Sequence, residues 1–373
     1  MANVVLYMSD EHNPFFSSAH GHRSIQTPNM ERLAETGTLY RNCYCPSPLC
    51  LPSRSAFMSG RRVHQIQTYN NCNALLDRGI PSYGRLLAQQ GAHTAYIGKT
   101  DVYAPGEELG FSEMIMPGDR AQPGDTNHRR NPLQVRTGSA ARADGYGPKE
   151  NAGSGDRRCV NAAIQWLQTR APELDKPWVL VVNTGNPHFP HYAPPDLWEL
   201  YEGEGDLPDH GPECASARHP RAVDLRRHFE TDRFSEEQIR GLRRGYLACV
   251  SFVDRQIGRL TETLGTTGLE NNTNLIYTSD HGEMLGKFGM WWKCTLYEDS
   301  VRVPCIARGP DFPTGQTVKT PVDLHDVQAT LFSATNAERN PDWVGKPLPT
   351  IPRDNRERIV FSEYHGHGVH ASS

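Results

Sequence analysis

Short apolar segments that end in acidic residues constrain the fold of this chain more than any other feature. The first, residues 4–8, is followed by Asp10 and Glu11, and a second, far along the chain, is followed by Asp280 and His281. Short apolar runs of this kind are typical of strands buried in a parallel sheet. Open α/β sheets keep their functional residues at the carboxyl ends of the strands, so both clusters are predicted to lie at that edge.

Predicted strands alternate with predicted helices along the whole chain. Besides the strands at residues 4–8 and 274–278, strands are predicted at residues 93–97, 178–183, 303–307 and 359–362, and helices at residues 27–37, 50–60, 81–90, 156–170, 235–260 and 322–332. The longest helix begins with the capping box Ser235-Glu236-Glu237-Gln238. This alternation predicts an α/β fold, an α/β/α sandwich with a central, mostly parallel sheet.

Two segments, at about residues 104–155 and 192–232, show neither the helical nor the strand period. We interpret them as irregular insertions that shape or cover a pocket. The chain as a whole, residues 1–373, is expected to form one large domain around these insertions.

Composition and charge exclude several classes of protein. The formal net charge of −4 and the lack of a basic run give no reason to expect binding to nucleic acid or to an anionic membrane. No apolar stretch approaches a membrane span, and the apolar start of the chain is too short for a signal peptide and lacks its basic residues. A cytoplasmic protein is therefore expected. The nine cysteines are an odd, scattered set, which predicts reduced thiols rather than a disulfide framework.

The stretch that begins at Cys50 is predicted to be a turn that leads into a helix. Pro52 suits a first helical turn, and Ser53 and Ser55 are candidate capping residues. The free N–H groups of a helix N-terminus, together with Arg54 one turn on, favour an anion or a polarised nucleophile. From these residues alone, Cys50 is equally well a reactive residue or a buried structural cysteine.

Four side chains that commonly bind metals meet at one point if the two acidic strand ends are neighbours in the sheet: Asp10, Glu11, Asp280 and His281. Such a buried cluster is costly unless it binds a cation. Oxygen ligands favour a hard divalent ion such as Ca²⁺, Mg²⁺ or Mn²⁺, and the imidazole shifts the preference toward Mn²⁺. Taken singly, each aspartate would more often be a solvated loop carboxylate, and it is the pair of clusters that favours a metal.

Cationic and donor residues have similar placements, on the Cys50 helix or shortly after a predicted strand: Arg54, Lys99, His188 and Lys293. Such groups around a metal describe a site for a tetrahedral oxyanion, because charge that develops on sulfuryl or phosphoryl oxygens needs these partners. Each lysine alone would more often be a solvated surface residue, and His188 a loop histidine.

Together these motifs resemble one known family. Cys50-x-Pro52-x-Arg54 matches the maturation signature of the type I sulfatases of the alkaline phosphatase superfamily, in which a maturing enzyme oxidises the cysteine to formylglycine. The segment at residues 278–286, followed by Lys293, is similar to the choline sulfatase and phosphonate monoester hydrolase branch. The resemblance covers most of the chain.

The resemblance implies a sulfuric ester hydrolase that acts on a small-molecule sulfate or phosphonate ester. Formylglycine made from Cys50 hydrates to a diol, and one hydroxyl attacks the sulfur or phosphorus to give a covalent sulfo-enzyme intermediate. Collapse of that intermediate releases sulfate and restores the aldehyde. One divalent metal, Ca²⁺ before Mn²⁺ or Mg²⁺, is held by Asp10, Glu11, Asp280 and His281. A homo-oligomer is expected, because multimers are common in this branch.

Further roles follow position by position from the same resemblance. Arg54 stabilises the aldehyde hydrate, and Asp280 assists deprotonation of the nucleophile. Lys99, His188 and Lys293 contact the ester group, and His188 or Lys293 protonates the leaving oxygen.

The chain also departs from the family's pattern. Glu11 stands where many sulfatases have Asp, Asn or Gln, which leaves the identity of the metal open. Asp101, which is expected to bind the substrate, replaces the histidine that would assist the diol. The retained Lys99 favours sulfate, and Asn71 is expected to donate to the substrate. The chain ends at Ser373, whereas relatives continue into a small antiparallel C-terminal subdomain, which we expect to be reduced or missing from this chain.

Three alternatives to a sulfatase stay open at this point. A phosphonate monoester or phosphodiester hydrolase would use the same residues. A catalytically inactive binding or scaffold protein would keep the fold without the chemistry. A cysteine-dependent hydrolase would use the Cys50 thiol itself, paired with a histidine.

Overall fold

A computed structural model describes residues 1–71, 79–102, 109–118 and 135–366 of the chain. Its strands are β1 (Asn3–Asp10), β2 (Thr38–Tyr40), β3 (Cys43–Tyr44), β4 (His93–Lys99), β5 (Glu113–Gly118), β6 (Tyr146–Pro148), β7 (Trp178–Pro187), β8 (His191–Ala193), β9 (Thr273–Ser279), β10 (Arg302–Val303), β11 (Cys305–Arg308), β12 (Gln316–Val318) and β13 (Val322–Asp323). Its α-helices are α1 (Pro28–Glu35), α2 (Cys50–Ser59), α3 (Val63–Ile66), α4 (Tyr83–Gln89), α5 (Ser154–Thr169), α6 (Pro195–Glu199), α7 (Pro220–Phe229), α8 (Glu236–Thr266), α9 (Glu298–Val301) and α10 (Leu324–Thr335).

The central sheet has eight strands in the order β12-β2-β11-β9-β1-β7-β4-β5. The five strands from β9 to β5 run parallel to one another, and β12 runs parallel to β2. Only β11 is antiparallel to its neighbours in this sheet, β9 and β2. The predicted mostly parallel sheet is therefore confirmed, and it places the carboxyl ends of β1, β9, β7 and β4 along one edge. Two small sheets, β10-β3-β13 and β6-β8, lie beside it.

Alternating side chains of the central strands enter two separate hydrophobic cores. On β1, Val5 and Tyr7 belong to a core with buried residues of α1, α5 and α8, whereas Val4 and Leu6 belong to a core with residues of α2, α4 and α10. Because side chains alternate across a strand, these cores lie on opposite faces of the sheet, which gives the predicted α/β/α sandwich. None of the described helices is both long enough and apolar enough to cross a membrane.

The two helices with the clearest sequence signals begin where they were predicted. Ser235 and Gln238 form the capping box of α8, with hydrogen bonds of 3.2 and 2.9 Å between each side chain and the other's backbone N–H. The helix α2 begins at Cys50 and ends before Gly60, whose φ of 66° is in the left-handed region that favours glycine.

Two strand predictions were wrong. Residues 359–362 form no strand, and the backbone N–H of Glu363 instead donates to the carbonyl of Pro46 over 2.9 Å. The single strand predicted at residues 303–307 is divided between β10 and β11, which belong to different sheets. Pro304 lies between them and has no N–H to continue a ladder.

The predicted irregular insertions contain regular elements, so those predictions were wrong in part. The first contains β5, an edge strand that is half-buried or exposed throughout and so shows no alternation of buried and exposed residues. The second contains α7, where three arginines and an aspartate interrupt the apolar stripe of Ala222, Leu225 and Phe229. Residues 104–108 and 119–134 of the first insertion lie outside the described residues.

Candidate active site

The two acidic strand ends that the sequence singled out are neighbours in the structure. Asp10 is the last residue of β1 and Asp280 follows β9 directly, and the two strands pair in parallel with Ser9 opposite Ser279. The Oδ1 atom of Asp280 accepts hydrogen bonds from the backbone N–H groups of Glu11, at 3.1 Å, and His281, at 2.9 Å. These bonds fix the orientation of the Asp280 carboxylate at the sheet edge.

Cys50 faces this cluster from the first turn of α2. It is 2% exposed, and its Sγ lies 3.1 Å from His281 Nε2 and 4.0 Å from Asp10 Oδ1. The serines predicted as caps do not cap the helix, because the N-cap position is Leu49 and both serines lie inside α2. The hydroxyl of Ser53 instead donates to the backbone carbonyl of Asp280 over 2.6 Å and ties the helix to the end of β9.

A buried arginine connects the helix to two strand ends. Arg54 Nε donates to Asp280 Oδ2 at 2.7 Å, and Nη1 donates to Asn183 Oδ1 at 2.8 Å. Arg54 is 3% exposed and Asp280 is fully buried. Although burial alone lowers the pKa of Arg54, the carboxylates of Asp280 and Asp10 raise it above its usual value, so the guanidinium stays charged.

Lys99 approaches Asp10 from the end of β4. Its Nζ donates to Asp10 Oδ2 and lies 3.5 Å from Asp101 Oδ2. Burial raises the pKa of Asp10, but Lys99, His188 and Arg54 outweigh this and hold it well below its usual range. Asp10 is therefore ionised at neutral pH.

Lys293 and His188 form a second basic pair around Glu11. Lys293 Nζ lies 3.0 Å from Glu11 Oε2 and 2.7 Å from His188 Nε2, which in turn lies 3.2 Å from Glu11 Oε2. Burial raises the pKa of Glu11 to about 8, with a further contribution from Glu283, against the lowering effect of His188 and Lys293. Side chains that are 25% exposed for His188 and 22% exposed for Lys99 mark the open side of the site.

The two residues predicted to bind substrate lie at the margin of this cluster. The side-chain oxygen of Asn71 accepts a hydrogen bond of 3.0 Å from the backbone N–H of Leu51, in the first turn of α2. Asp101 is buried beside Lys99. The structure therefore brings together every residue that the sequence assigned to the site.

Two site residues were missed by sequence reasoning. Asn183 accepts from Arg54, and Glu283 is buried with its Oε1 bound by the N–H groups of Leu285, at 2.9 Å, and Trp292, at 2.5 Å. Both stood within segments already recognised, Asn183 as the last residue of the apolar run in β7 and Glu283 within the motif after β9. Their types gave no signal of a role.

The chemistry of the donor set fits a divalent cation. The ligand atoms of Asp10, Cys50, Asp280 and His281 lie within 4.8 Å of one another, as do those of Asp10, Glu11 and His188. His281 Nδ1 lies 3.0 Å from the carbonyl of Gly282 and donates to it, which directs the other ring nitrogen toward the cluster.

The electrostatics of the cluster agree with this fit. Burial lowers the pKa of His281, but Asp280 and Cys50 outweigh it and raise the pKa to about 9, so the cluster favours positive charge at this point. Glu11 Oε1 is buried, and none of the described residues donates a hydrogen bond to it.

The electrostatics also favour an anion at position 50. Burial raises the pKa of the Cys50 thiol, but Lys293 and Lys99 outweigh this effect and hold it well below its usual range. The residues around Cys50 thus stabilise negative charge on the first side chain of α2.

Comparison with known proteins gives one consistent result at the level of sequence. The sequence model of the Sulfatase family matches residues 2–337. A choline-sulfatase of Rhizobium meliloti (strain 1021) is 30% identical to the chain over 379 residues, which covers 97% of this chain and 74% of that protein. Arylsulfatase K of Danio rerio is 27% identical over 398 residues, which covers 100% of this chain and 72% of that protein.

Solved structures with the same fold include two enzymes of known chemistry. The protein BT4656, in complex with its substrate D-glucosamine-2-N,6-O-disulfate, superposes with a TM-score of 0.76 at 22% identity, over 99% of this chain and 85% of that one. The phosphonate monoester hydrolase of Agrobacterium radiobacter superposes with a TM-score of 0.74 at 22% identity, over 93% of this chain and 76% of that one. At this level of identity the likeness shows the fold.

Proposed function

Because the chain belongs to the sulfatase family and is a sulfuric ester hydrolase, we propose that it cleaves its ester with a formylglycine made from Cys50 and with one bound divalent cation. The observation that carries this proposal is the position of Cys50 Sγ, which shares one buried cluster with Asp10, Asp280 and His281. The cluster is enclosed by the basic side chains of Arg54, Lys99, Lys293 and His188.

Asp10, Asp280 and His281 would hold the cation, with Glu11 as the fourth ligand. When bound, the cation supplies Lewis-acid stabilisation of the oxygens around sulfur, and the formylglycine hydrate supplies the attacking hydroxyl. Arg54 orients the Asp280 carboxylate through the 2.7 Å bond to its Oδ2. Asp280 is then placed to accept the proton of the nucleophile, because its carboxylate oxygen lies within 4.8 Å of Cys50 Sγ.

Lys99, Lys293 and His188 would bind the ester group. The two lysines neutralise charge on the sulfuryl oxygens, and this stabilisation increases as negative charge develops in the transition state. His188 Nε2 and Lys293 Nζ lie 2.7 Å apart next to the open side of the site, so the hydrogen bond between them contains one proton. That proton is the one we assign to the leaving oxygen.

Asp101 and Asn71 would act at the margin of the ester site. Asp101 lies 3.5 Å from Lys99 Nζ and so limits the directions in which the ammonium group points. Asn71 holds the first turn of α2 through Leu51 N, and through this bond it fixes the position of residue 50.

The proposal predicts a specific covalent change that mass spectrometry measures. The peptide that contains residue 50 is expected to have the mass in which one oxygen replaces the sulfur of cysteine and two hydrogens, or that of its hydrate, after expression with a maturing enzyme. Activity on an aryl sulfate should require this modification, disappear with a chelator and return with Ca²⁺, Mn²⁺ or Mg²⁺. Cys50→Ala should be inactive, and Cys159→Ala, a matched control outside the cluster, should be as active as the unchanged chain.

The same measurement separates the alternatives. An active protein whose residue 50 remains an unmodified thiol would establish a cysteine-dependent hydrolase, for which the 3.1 Å contact of Cys50 with His281 would be the reacting pair. A protein that is produced with the maturing enzyme and still has an unmodified thiol, no metal and no activity would count heavily for a scaffold.

A phosphonate monoester or phosphodiester hydrolase is the second candidate, because Asp101 replaces the histidine expected of a sulfatase beside Lys99. Both reactions spread negative charge over equatorial oxygens, so the same basic residues serve either ester. We expect kcat/KM for an aryl sulfate to exceed that for a phenyl phosphonate ester. A large preference for the phosphonate would reverse the assignment.

A further inference from the structure

A cavity of about 320 Å³ is lined in part by residues 295–297, a segment that begins two residues after Lys293. Its apolar walls are formed by Tyr297, Tyr364, Leu296 and Met290, and its polar groups include Arg221 and His219. None of the described residues that line it is acidic. Apolar walls of this kind suit a ligand with a ring, and the positive charge of Arg221 favours a negatively charged substituent on that ring.

The chain connects this cavity directly to the basic residues around Cys50. Thr295, in the cavity wall, is two residues after Lys293, and the residue between them, Cys294, is buried. The N–H of Cys294 donates to the carbonyl of Pro48 over 3.1 Å, immediately before the Cys50 helix. The cavity wall and the nucleophile turn are thus held together by a backbone hydrogen bond.

Cys294 follows Lys293 directly in the chain. Burial raises the pKa of the Cys294 thiol to about 11, against the lowering effects of Tyr364, Lys293 and Arg221. Arg142 lies 4.9 Å from the ring centre of Phe189 and 4.8 Å from that of Trp292. Burial lowers the pKa of Arg142 to about 10, Arg136 lowers it further, and Glu11 and Cys294 act against this.

The arginine within the cavity is held in place by an aromatic ring. The guanidinium carbon of Arg221 lies 4.7 Å from the ring centre of Tyr364, in cation–π contact. A ligand carboxylate or sulfate that enters the cavity would meet a cation already stacked on its wall. A quaternary ammonium group would meet this cation, and none of the described residues that line the cavity is acidic to offset it.

We propose that this cavity binds the leaving group of the substrate, and that the leaving group is a ring with an anionic substituent, a carboxylate or a second sulfate, rather than a cationic group such as choline. This inference rests on the proposed function, because a leaving-group site requires that the protein hydrolyses an ester. It is tested without turnover, because the cavity should bind the free leaving group itself.

The test measures the dissociation constants of three phenols for the full chain by titration calorimetry. The probes are 4-hydroxybenzoate, the neutral 4-hydroxybenzyl alcohol and 4-(trimethylammonio)phenol. We expect the benzoate to bind most tightly and the ammonium compound least. Arg221→Gln should weaken the benzoate about tenfold, since a hydrogen bond to a charged group contributes on that order, and should leave the neutral phenol unchanged.

Two control variants exclude a structural effect of the substitution. Arg221→Lys keeps the charge and should keep the order of the three probes. Arg227→Gln removes an exposed arginine of the same helix α7 and should bind all three as the unchanged chain does.

The proposal is overturned if the ammonium phenol binds most tightly, if none of the phenols binds, or if Arg221→Gln leaves the preference for the benzoate intact. Assays of ester hydrolysis are scored separately. Retained probe preference without any hydrolysis of sulfate esters would contradict the proposed function alone, and hydrolysis without that preference would contradict this inference alone.

Discussion

Replacing Gly98 by alanine should damage both the fold and the site. Gly98 lies in β4 opposite Asn183 of β7, one residue before Lys99. Its φ of 90° is in the left-handed region, and an added Cβ would lie 2.0 Å from the backbone oxygen of Asn183. That oxygen belongs to the main chain of a central strand, so it cannot move aside as the end of a flexible side chain would.

The structure gives a magnitude for each part of this effect. A positive φ costs an L-residue about 1–2 kcal/mol. Overpacking against a backbone adds about 1–3 kcal/mol, so Gly98→Ala should lower the free energy of unfolding by about 2–5 kcal/mol. The added Cβ also forces the backbones of β4 and β7 apart, and this movement displaces Lys99 from Asp10 and Asn183 from Arg54. A misplacement on the order of 1 Å costs about 100-fold in turnover, so kcat/KM should fall by about that factor.

A matched control separates strain from contact. Gly91 has a φ of 94°, and an added Cβ there meets nothing within 4 Å. Gly91→Ala should therefore lower the free energy of unfolding by only about 1–2 kcal/mol and leave kcat/KM unchanged. Both variants are compared by urea unfolding and by sulfate ester hydrolysis at one concentration of the same divalent cation. Equal unfolding free energies, within about 0.5 kcal/mol, would refute the reasoning.

Three further changes test other contacts. Ser53→Ala removes the 2.6 Å bond to the carbonyl of Asp280 and should cost about 1–3 kcal/mol in urea unfolding, because that buried carbonyl loses a donor; an unchanged midpoint would contradict this. Asn183→Ala removes an acceptor from Arg54 and should lower kcat about tenfold at equal formylglycine content, whereas an unchanged kcat would exclude a positioning role. Burial lowers the pKa of His191 to about 3, below the unfolded value of about 6.5, so its contribution to stability is complete above pH 6.5 and is lost as the pH falls toward 3. Between pH 7 and pH 5, the free energy of unfolding of His191→Phe should therefore fall by about 2 kcal/mol less than that of the unchanged chain. Equal decreases in the two proteins would contradict the assignment.

The parts of the site that the sequence predicted are those that follow from strand geometry. Asp10 and Asp280 each come directly after an apolar run, and parallel strands end at the same edge of a sheet, so their meeting needed only the correct strand order. Cys50 and Arg54 lie one turn apart on a helix, a spacing that is readable from local sequence. The roles of all these residues remain predictions until position 50 and the metal are measured.

The parts that were missed depend on contacts between distant segments. Asn183 is one polar residue at the end of an apolar strand. Its role depends on the hydrogen bond that its carboxamide oxygen accepts from Arg54 of α2, which the sequence does not show. The antiparallel direction of β11 could not be predicted either, because the alternation of buried residues along a strand is the same in both directions. The edge strand β5 has little buried surface and so left no pattern.

The cytoplasmic location, the homo-oligomer and the reduced C-terminal subdomain stay predictions from the sequence. The single-domain assignment for residues 1–373 has the same standing.

Every residue of α2 is buried, and Asp280, which follows β9, comes 230 positions after Cys50 (280 − 50). During synthesis, at about 5–20 residues per second, the ribosome therefore completes β9 roughly 10–50 s after the cysteine has been added. Until β9 pairs with β1, Asp280 cannot cover the Cys50 side chain. If Cys50 is converted to formylglycine as proposed, the modifying enzyme competes against translation and sheet closure, and slower decoding between these two positions would raise the fraction of active molecules without any change in the amino-acid sequence.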